Sequence, residues 1–168
     1  MATSEMNPGQ TITACGQLRN ITVQMKKYGS PVFNIRAKIY LDVPIDFETG
    51  FPLDNYLGES TNVISAASLT GTFVSQSFAF SALEITGKWT VVFEYEDVTN
   101  HDLFNFVNFA IGMGEGDTDL YTGGEFVYYS YDSDMWWLFP YGDMVFTCGY
   151  CHEDCPTTTT TTRGLEPR

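Results

Sequence analysis

The sequence predicts an all-β chain: an antiparallel β-sandwich of jelly-roll-like kind, with eight or nine strands and almost no helix. Three observations carry that expectation. Phe33, Ile35, Ala37, Ile39 and Leu41 alternate strictly with Asn34, Arg36, Lys38 and Tyr40, the period of a strand with one buried and one wet face. Turn-forming residues recur at roughly 8–15-residue spacing, as short antiparallel strands require. No stretch carries the i, i+3, i+4, i+7 apolar spacing of an amphipathic helix. Thirteen Phe, ten Tyr and three Trp within a 43% apolar composition supply enough bulk for the core of one 168-residue domain.

Taken in order, residues 1–10 read as a polar N-terminal arm, 11–155 as the sandwich, and 156–168 as a Thr-rich linker or tail. Residues 11–15 and 18–25 have β-type composition, with Ile21, Val23 and Met25 alternating against Asn20, Thr22 and Gln24. Gly29 and Pro31 mark a turn before the strand at 33–41. Residues 43–60 form a long loop rich in Pro, Gly and Asp. Strands are expected around 62–66 and 72–82, the second with Phe78 and Phe80 on one side. A turn at Thr86-Gly87-Lys88 leads into 89–96, where Trp89, Val91, Phe93 and Tyr95 share a face. A polar turn at 97–102 precedes a strand at 105–111, and 112–124 is an acidic, Gly-rich loop. The last two strands are expected at 125–131 and 143–148.

Acidic residues number 21 against 8 basic, for a net charge of −13. The cations cluster early, at Arg19, Lys26, Lys27, Arg36 and Lys38, and Lys88 alone is basic between 39 and 162. Such a surface cannot neutralise a run of phosphates, which excludes nucleic acid and anionic membrane as partners. No run of about 18 apolar residues offers a membrane span. Neutral glycans or other cell-surface polymers, divalent cations and cationic proteins remain. The opening MATSEMNPGQ has no basic-then-apolar leader, which a virion component would not need.

Cys15, Cys148, Cys151 and Cys155 are an even set with three pairings. Two disulfides are expected, one stapling Cys15 to Cys148 or Cys151. A zinc ion held by these thiolates, or with His152 substituting, is the alternative. The Thr run at 157–162 looks like an O-glycosylated stalk. That favours an oxidising compartment, an extracellular or cell-surface location and disulfides over zinc. Glu115, Asp117 and Asp119 alternate in GEGDTDL and are candidate ligands for a structural Ca²⁺, against the plainer reading of solvated loop acids. No other cofactor is expected.

A glycan hydrolase would need two placed carboxylates, and no motif selects a pair among 21 acids. His101 and His152 sit in expected loops, and there is no G-x-S-x-G. The aromatics of 121–150 point to binding instead. Sugar C–H faces pack on Trp and Tyr rings while nearby carboxylates accept hydroxyl hydrogen bonds. On a strand, Phe126 and Tyr128 share one face and Val127, Tyr129 and Tyr131 the other. Two adjacent rings cannot both point inward, so one of Trp136 and Trp137 is expected at the surface. Trp136, Trp137, Tyr129, Tyr131 and Asp134 are the candidate ligand contacts.

Three segments resemble a loose family of β-sandwich accessory modules from large extracellular and cell-surface proteins of bacteria and archaea, and from some viral proteins. MKKYGSPVFNIRAKIY is similar to its opening strand pair, and FAFSALEITGKWTVVFEY to its central segment. GGEFVYYSYDSDMWWLFPYGDMVF is similar to its ending through Gly123, Gly124, Ser130, Asp132, one Trp of the pair, Asp143 and Phe146. The resemblance covers residues 9–150. Where the family has a DGG turn, this chain has Asp132-Ser133-Asp134 without glycine, and its CxxC-x3-C ending is additional. The resemblance implies a noncatalytic carbohydrate-binding or adhesive module whose Trp and Asp are structural in the final hairpin. The expected function is thus a noncatalytic extracellular glycan-binding or adhesive module on a Thr-rich tether. Its alternative is a self-associating structural subunit of a surface filament, sheath or virion, whose early basic patch would meet the acidic body of a neighbour.

Overall fold

The computed structural model describes residues 6–44, 49–96, 104–113, 123–139 and 142–152. Residues 1–5 of the expected arm and the Thr-rich tail at 156–168 lie outside them. Among the described residues the chain is an antiparallel β-sandwich, with thirteen strands and a single 3-10 turn, Ala66–Ser68.

In chain order the strands are β1 Met6–Thr13, β2 Cys15–Tyr28, β3 Asn34–Tyr40, β4 Tyr56–Glu59, β5 Ile64–Ser65, β6 Val74–Ile85 and β7 Lys88–Glu96. They continue with β8 Phe106–Phe109, β9 Ile111–Met113, β10 Phe126–Ser130, β11 Met135–Phe139, β12 Gly142–Met144 and β13 Phe146–His152. The first sheet runs β11-β10-β1-β7-β3-β4, with β5 also on β3. In the second, β2 is flanked by β6 on one edge and by β13 and β8 on the other. A small β12–β9 ladder completes the fold.

Thirteen strands replace the expected eight or nine for identifiable reasons. The run at 105–111 divides at Ala110, whose N–H bonds Gln24 while its carbonyl takes the N–H of Val145. The final run divides at Val145, between β12 and β13. β4 lies inside the expected loop 43–60, and the Trp pair lies in a further strand, β11, between the last two expected ones.

The largest correction concerns the polar arm. Residues 6–10 belong to β1, which pairs with both β10 and β7 and lies inside the first sheet. Asn7, Gln10 and Thr11 are buried there. Burying amides and hydroxyls is tolerable only when each finds a partner, and these do. Asn7 Nδ2 donates to the Tyr131 hydroxyl at 2.8 Å and Gln10 Nε2 to Asp143 Oδ1 at 2.8 Å. The Glu125 N–H donates to Thr11 Oγ1 at 2.6 Å. Gly9 admits the close strand crossing: a Cβ there would sit 2.6 Å from the carbonyl oxygen of Val91.

Between the sheets lies the main core. Ile35, Ala37 and Ile39 of β3 and Trp89, Val91 and Phe93 of β7 face Leu18, Ile21, Val23 and Met25 of β2 and Phe78 of β6. Each buried Val, Leu, Ile, Phe or Met side chain among them contributes about 1.5–3 kcal/mol. A second cluster sits on the opposite side of the first sheet: Tyr40, Leu53, Val92, Val127, Tyr129 and Trp136, with Phe51 and Leu138 against it. The face of β3 expected to be wet is therefore dry at Tyr40, because residues 49–54 fold back over it.

Candidate functional site

The hairpin β10–β11 pairs Ser130 with Met135, Tyr129 with Trp136 and Tyr128 with Trp137. Its turn, Tyr131 to Asp134, closes with Asp134 at φ 52°. Asp tolerates this left-handed region better than most residues, so the turn closes without the glycines of the similar family.

Strand alternation separates the five candidates. Tyr129, Tyr131 and Trp136 lie on the outer face of the first sheet with Asp134 at its rim, and Trp137 lies on the other face. Of the Trp pair, Trp136 is fully buried, its Nε1 donating to the Gly50 carbonyl at 3.0 Å. It is a core residue. Trp137 is half-buried, stacked on Tyr128 at 6.4 Å with Nε1 on Ser133 Oγ at 3.3 Å. Tyr129 is also buried, and its hydroxyl donates to the Asp134 carboxylate. Tyr131 is 43% exposed and Asp134 is exposed, so these two carry the solvent side of the group.

Phe51, which composition alone did not single out, organises this face. Its ring lies 5.0 Å from Tyr129, 6.0 Å from Trp136 and 5.9 Å from Tyr131, the last edge-on. It also lines a cleft of about 400 Å³ with Asp42, Thr49, Gly50, Pro52 and Asp54. Asp42 fixes one wall: its carbonyl accepts from Thr90 Oγ1 and its carboxylate from Asn55 Nδ2, both at 2.8 Å. The signal for Phe51 was local: an aromatic between Gly50 and Pro52 in an acidic loop has little reason to face water.

The phenols here are held neutral. Burial, reinforced by the Asp134 hydrogen bond and charge, pushes Tyr129 up to about 12. Burial and the neighbouring Glu94 likewise raise Tyr40, whose hydroxyl donates to Glu94 at 2.8 Å. Both act as hydrogen-bond donors. Face, cleft and rim together offer aromatic surface, hydroxyls and carboxylate acceptors, the chemistry that recognises polyols.

Asp143 has a structural position. Buried, it accepts Gln10 Nε2, while Gln10 Oε1 takes the Met144 N–H at 2.8 Å, so the pair fastens β12 to β1. Gly124 is required by a close approach, since a Cβ there would meet the Thr11 carbonyl oxygen at 1.6 Å.

The remaining candidates divide between described and undescribed residues. Glu115, Asp117 and Asp119 lie outside the described residues, as does Cys155. Among the described residues no group of three or more His, Cys, Asp or Glu is placed to hold a metal. Cys15 is buried and takes the Gly87 N–H on its sulfur at 3.3 Å. The backbone register sets Cys148 opposite Ile21, Cys151 opposite Gly16 and His152 opposite Cys15. The early cations do not form one patch. Arg36 pairs with Glu96 at 2.5 Å and Glu59 at 3.5 Å, and Lys38 with Glu94 at 2.6 Å, all on the first sheet. Lys26 lies on the second sheet, 4.6 Å over the Phe73 ring. Compared with known proteins, the chain matches no protein-family model, no curated protein and no solved structure.

Proposed function

We propose that this chain is a noncatalytic extracellular binding module, glycan-binding or adhesive, whose ligand is a neutral saccharide. The observation that carries the reading is the cleft of about 400 Å³, whose wall Phe51 continues into the aromatic cluster ending at exposed Tyr131. That volume falls in the range of small-ligand pockets, roughly 300–1,000 Å³. Asp42, Thr49 and Asp54 supply hydroxyl acceptors beside the ring. A net charge of −13 argues for a neutral sugar over a uronate or sulfate. Trp136 and Tyr129 support the site from below, and Tyr131, Asp134 and Phe51 meet the ligand. The extracellular setting is supported by the Thr run at 157–162, whose composition suits an O-glycosylated stalk.

Retention on a panel of neutral polysaccharides tests this. At least one glycan should be retained, and Tyr131→Ala or Asp54→Ala should weaken retention about tenfold, the scale of one ring contact or one polar contact. Trp137→Ala, on the opposite face of the hairpin, should leave retention unchanged. Retention of nothing, or equal retention by wild type and Tyr131→Ala, would end the proposal.

A further inference from the structure

We infer, resting on the saccharide reading, that the site continues past its cleft as a band across the outer face of the first sheet, and that its ligand is an internal stretch of a linear, neutral polysaccharide. The band starts at Tyr131, edge-on to Phe51 beside the cleft, and ends at Tyr56 on β4. Tyr131 is 43% exposed and Tyr56 53%, so each offers ring surface to solvent. Tyr131 directly follows β10, and the sheet order β10-β1-β7-β3-β4 sets it four strand spacings from Tyr56, roughly 19 Å across the strands. A single hexose is far shorter than that, whereas a chain lying across the strands reaches both rings.

Between the two tyrosines the side chains hold one another in place. Glu94 takes the Tyr40 hydroxyl at 2.8 Å on one oxygen and Lys38 Nζ at 2.6 Å on the other. Arg36 bonds Glu96 at 2.5 Å, lies 3.5 Å from Glu59 and donates to the Ser60 carbonyl at 3.0 Å. The second oxygen of Glu59 accepts the Tyr56 hydroxyl at 3.2 Å. These groups form one neighbourhood. The Tyr40 phenol is raised by burial first and then by Glu94, with Tyr56 and Tyr131 adding to it. Burial also leads for Tyr56, with Glu59 and then Glu94 adding and Arg36 opposing. Long charged side chains ordinarily lose rotamer freedom when a ligand orders them. Here the protein has already ordered them.

The charge of the band selects the ligand. Three carboxylates, each with a cation to share, stand against two cations and leave it close to neutral. Their side chains keep between 14% and 43% of their surface open. Such a row sets donors and acceptors side by side, which suits hydroxyls that both give and accept. A uronate or sulfate chain would meet the excess carboxylate and the −13 of the whole chain. An ion-pair row that only stabilised the sheet would need no exposed ring at either end, and a ring is what packs on the C–H face of a sugar.

Calorimetric titration of the full chain with linear cello-, xylo-, manno- and laminari-oligosaccharides, from disaccharide to hexasaccharide, tests the band. At least one series should bind, its hexasaccharide about tenfold or more tighter than its disaccharide. Tyr56→Ala should weaken the hexasaccharide by about tenfold, the scale of one ring contact, and leave the disaccharide unchanged. Tyr131→Ala, at the cleft, should weaken both. Tyr28→Ala removes another exposed ring, on the second sheet, and should change neither. Thermal melts accompany every variant, and Glu59→Gln repeats the test should Tyr56→Ala melt early. An affinity independent of chain length would overturn the band while leaving the cleft as the site. So would a hexasaccharide affinity untouched by both Tyr56→Ala and Glu59→Gln, or a disaccharide affinity that falls as far as the hexasaccharide's with Tyr56→Ala. Binding of no oligosaccharide, with nothing retained on the polysaccharide panel, would end the saccharide reading and the band with it.

Discussion

The two outer faces of the sandwich are opposites. On the first sheet, Tyr40, Val92, Tyr129 and Trp136 are sealed beneath Phe51 and Leu53, and the adjoining area is closed by Arg36 and Lys38 with Glu59, Glu94 and Glu96. On the second, Thr22, Ser75, Ser77 and Thr147 stand in short rows with no such cover among the described residues. Both sheets present a polar-looking alternation in sequence, yet only the first has a covered cluster on its outer face among the described residues. The size of the outward side chains tells the two apart: a covered face carries aromatics because something packs on them, and a bare face carries hydroxyls because nothing does.

The most damaging test of this contrast is at Trp136. Trp136→Ala removes a fully buried indole and orphans the Gly50 carbonyl it bonds, for an expected loss of about 3–5 kcal/mol in urea denaturation. Trp137→Ala, on a half-buried ring stacked on one neighbour, should cost roughly 1 kcal/mol. Equal losses at the two positions would mean that residues 49–54 do not close the first sheet, and the two faces would cease to differ.

A medium effect is expected at Tyr129 under alkaline conditions. The phenol moves from an ordinary value of 10.0 in the unfolded chain to about 12 in the folded one, through burial first and then the Asp134 hydrogen bond and charge. Because the folded value is raised, its contribution to stability is whole below pH 10 and is lost as pH climbs toward 12. The tyrosinate absorbance difference between wild type and Tyr129→Phe should therefore titrate near 12, and Asp134→Asn should move that step downward. Titration near 10 would place Tyr129 in water and open the covered face.

How much of this was legible beforehand depended on the range of the determining contacts. The strand at 33–41 and the alternation at 89–96 were readable because period two is local, and so was the split of Tyr129 and Tyr131 from Tyr128. β1 was not readable: the partners that make Asn7 and Gln10 tolerable in the interior are 124 and 133 residues away. Nor was the burial of Tyr40, which depends on a loop whose sequence has no period. The same loop supplies Phe51 and Asp54 to the cleft, so the candidate site was only half visible. The adjacent tryptophans were expected to divide between inside and outside. The strand assigns Trp136 to the interior for a reason no pairwise pattern contains, namely that residues 49–54 lie on its side.

The smallest effect is expected on the bare face, and its smallness is informative. Ser77→Ala removes one hydroxyl and a 3.2 Å hydrogen bond to Thr22 that water can replace on both sides. A surface substitution of this kind should change unfolding free energy by less than about 0.5 kcal/mol. The two states expose the same hydroxyl to the same solvent, so little distinguishes them energetically. A loss of about 2 kcal/mol would require Ser77 to be desolvated in the isolated chain, meaning that part of the chain already covers the second sheet. Repeating the measurement at higher protein concentration separates that from self-contact. Cover from within the chain is indifferent to concentration, whereas cover from a second copy adds stability by mass action as concentration rises.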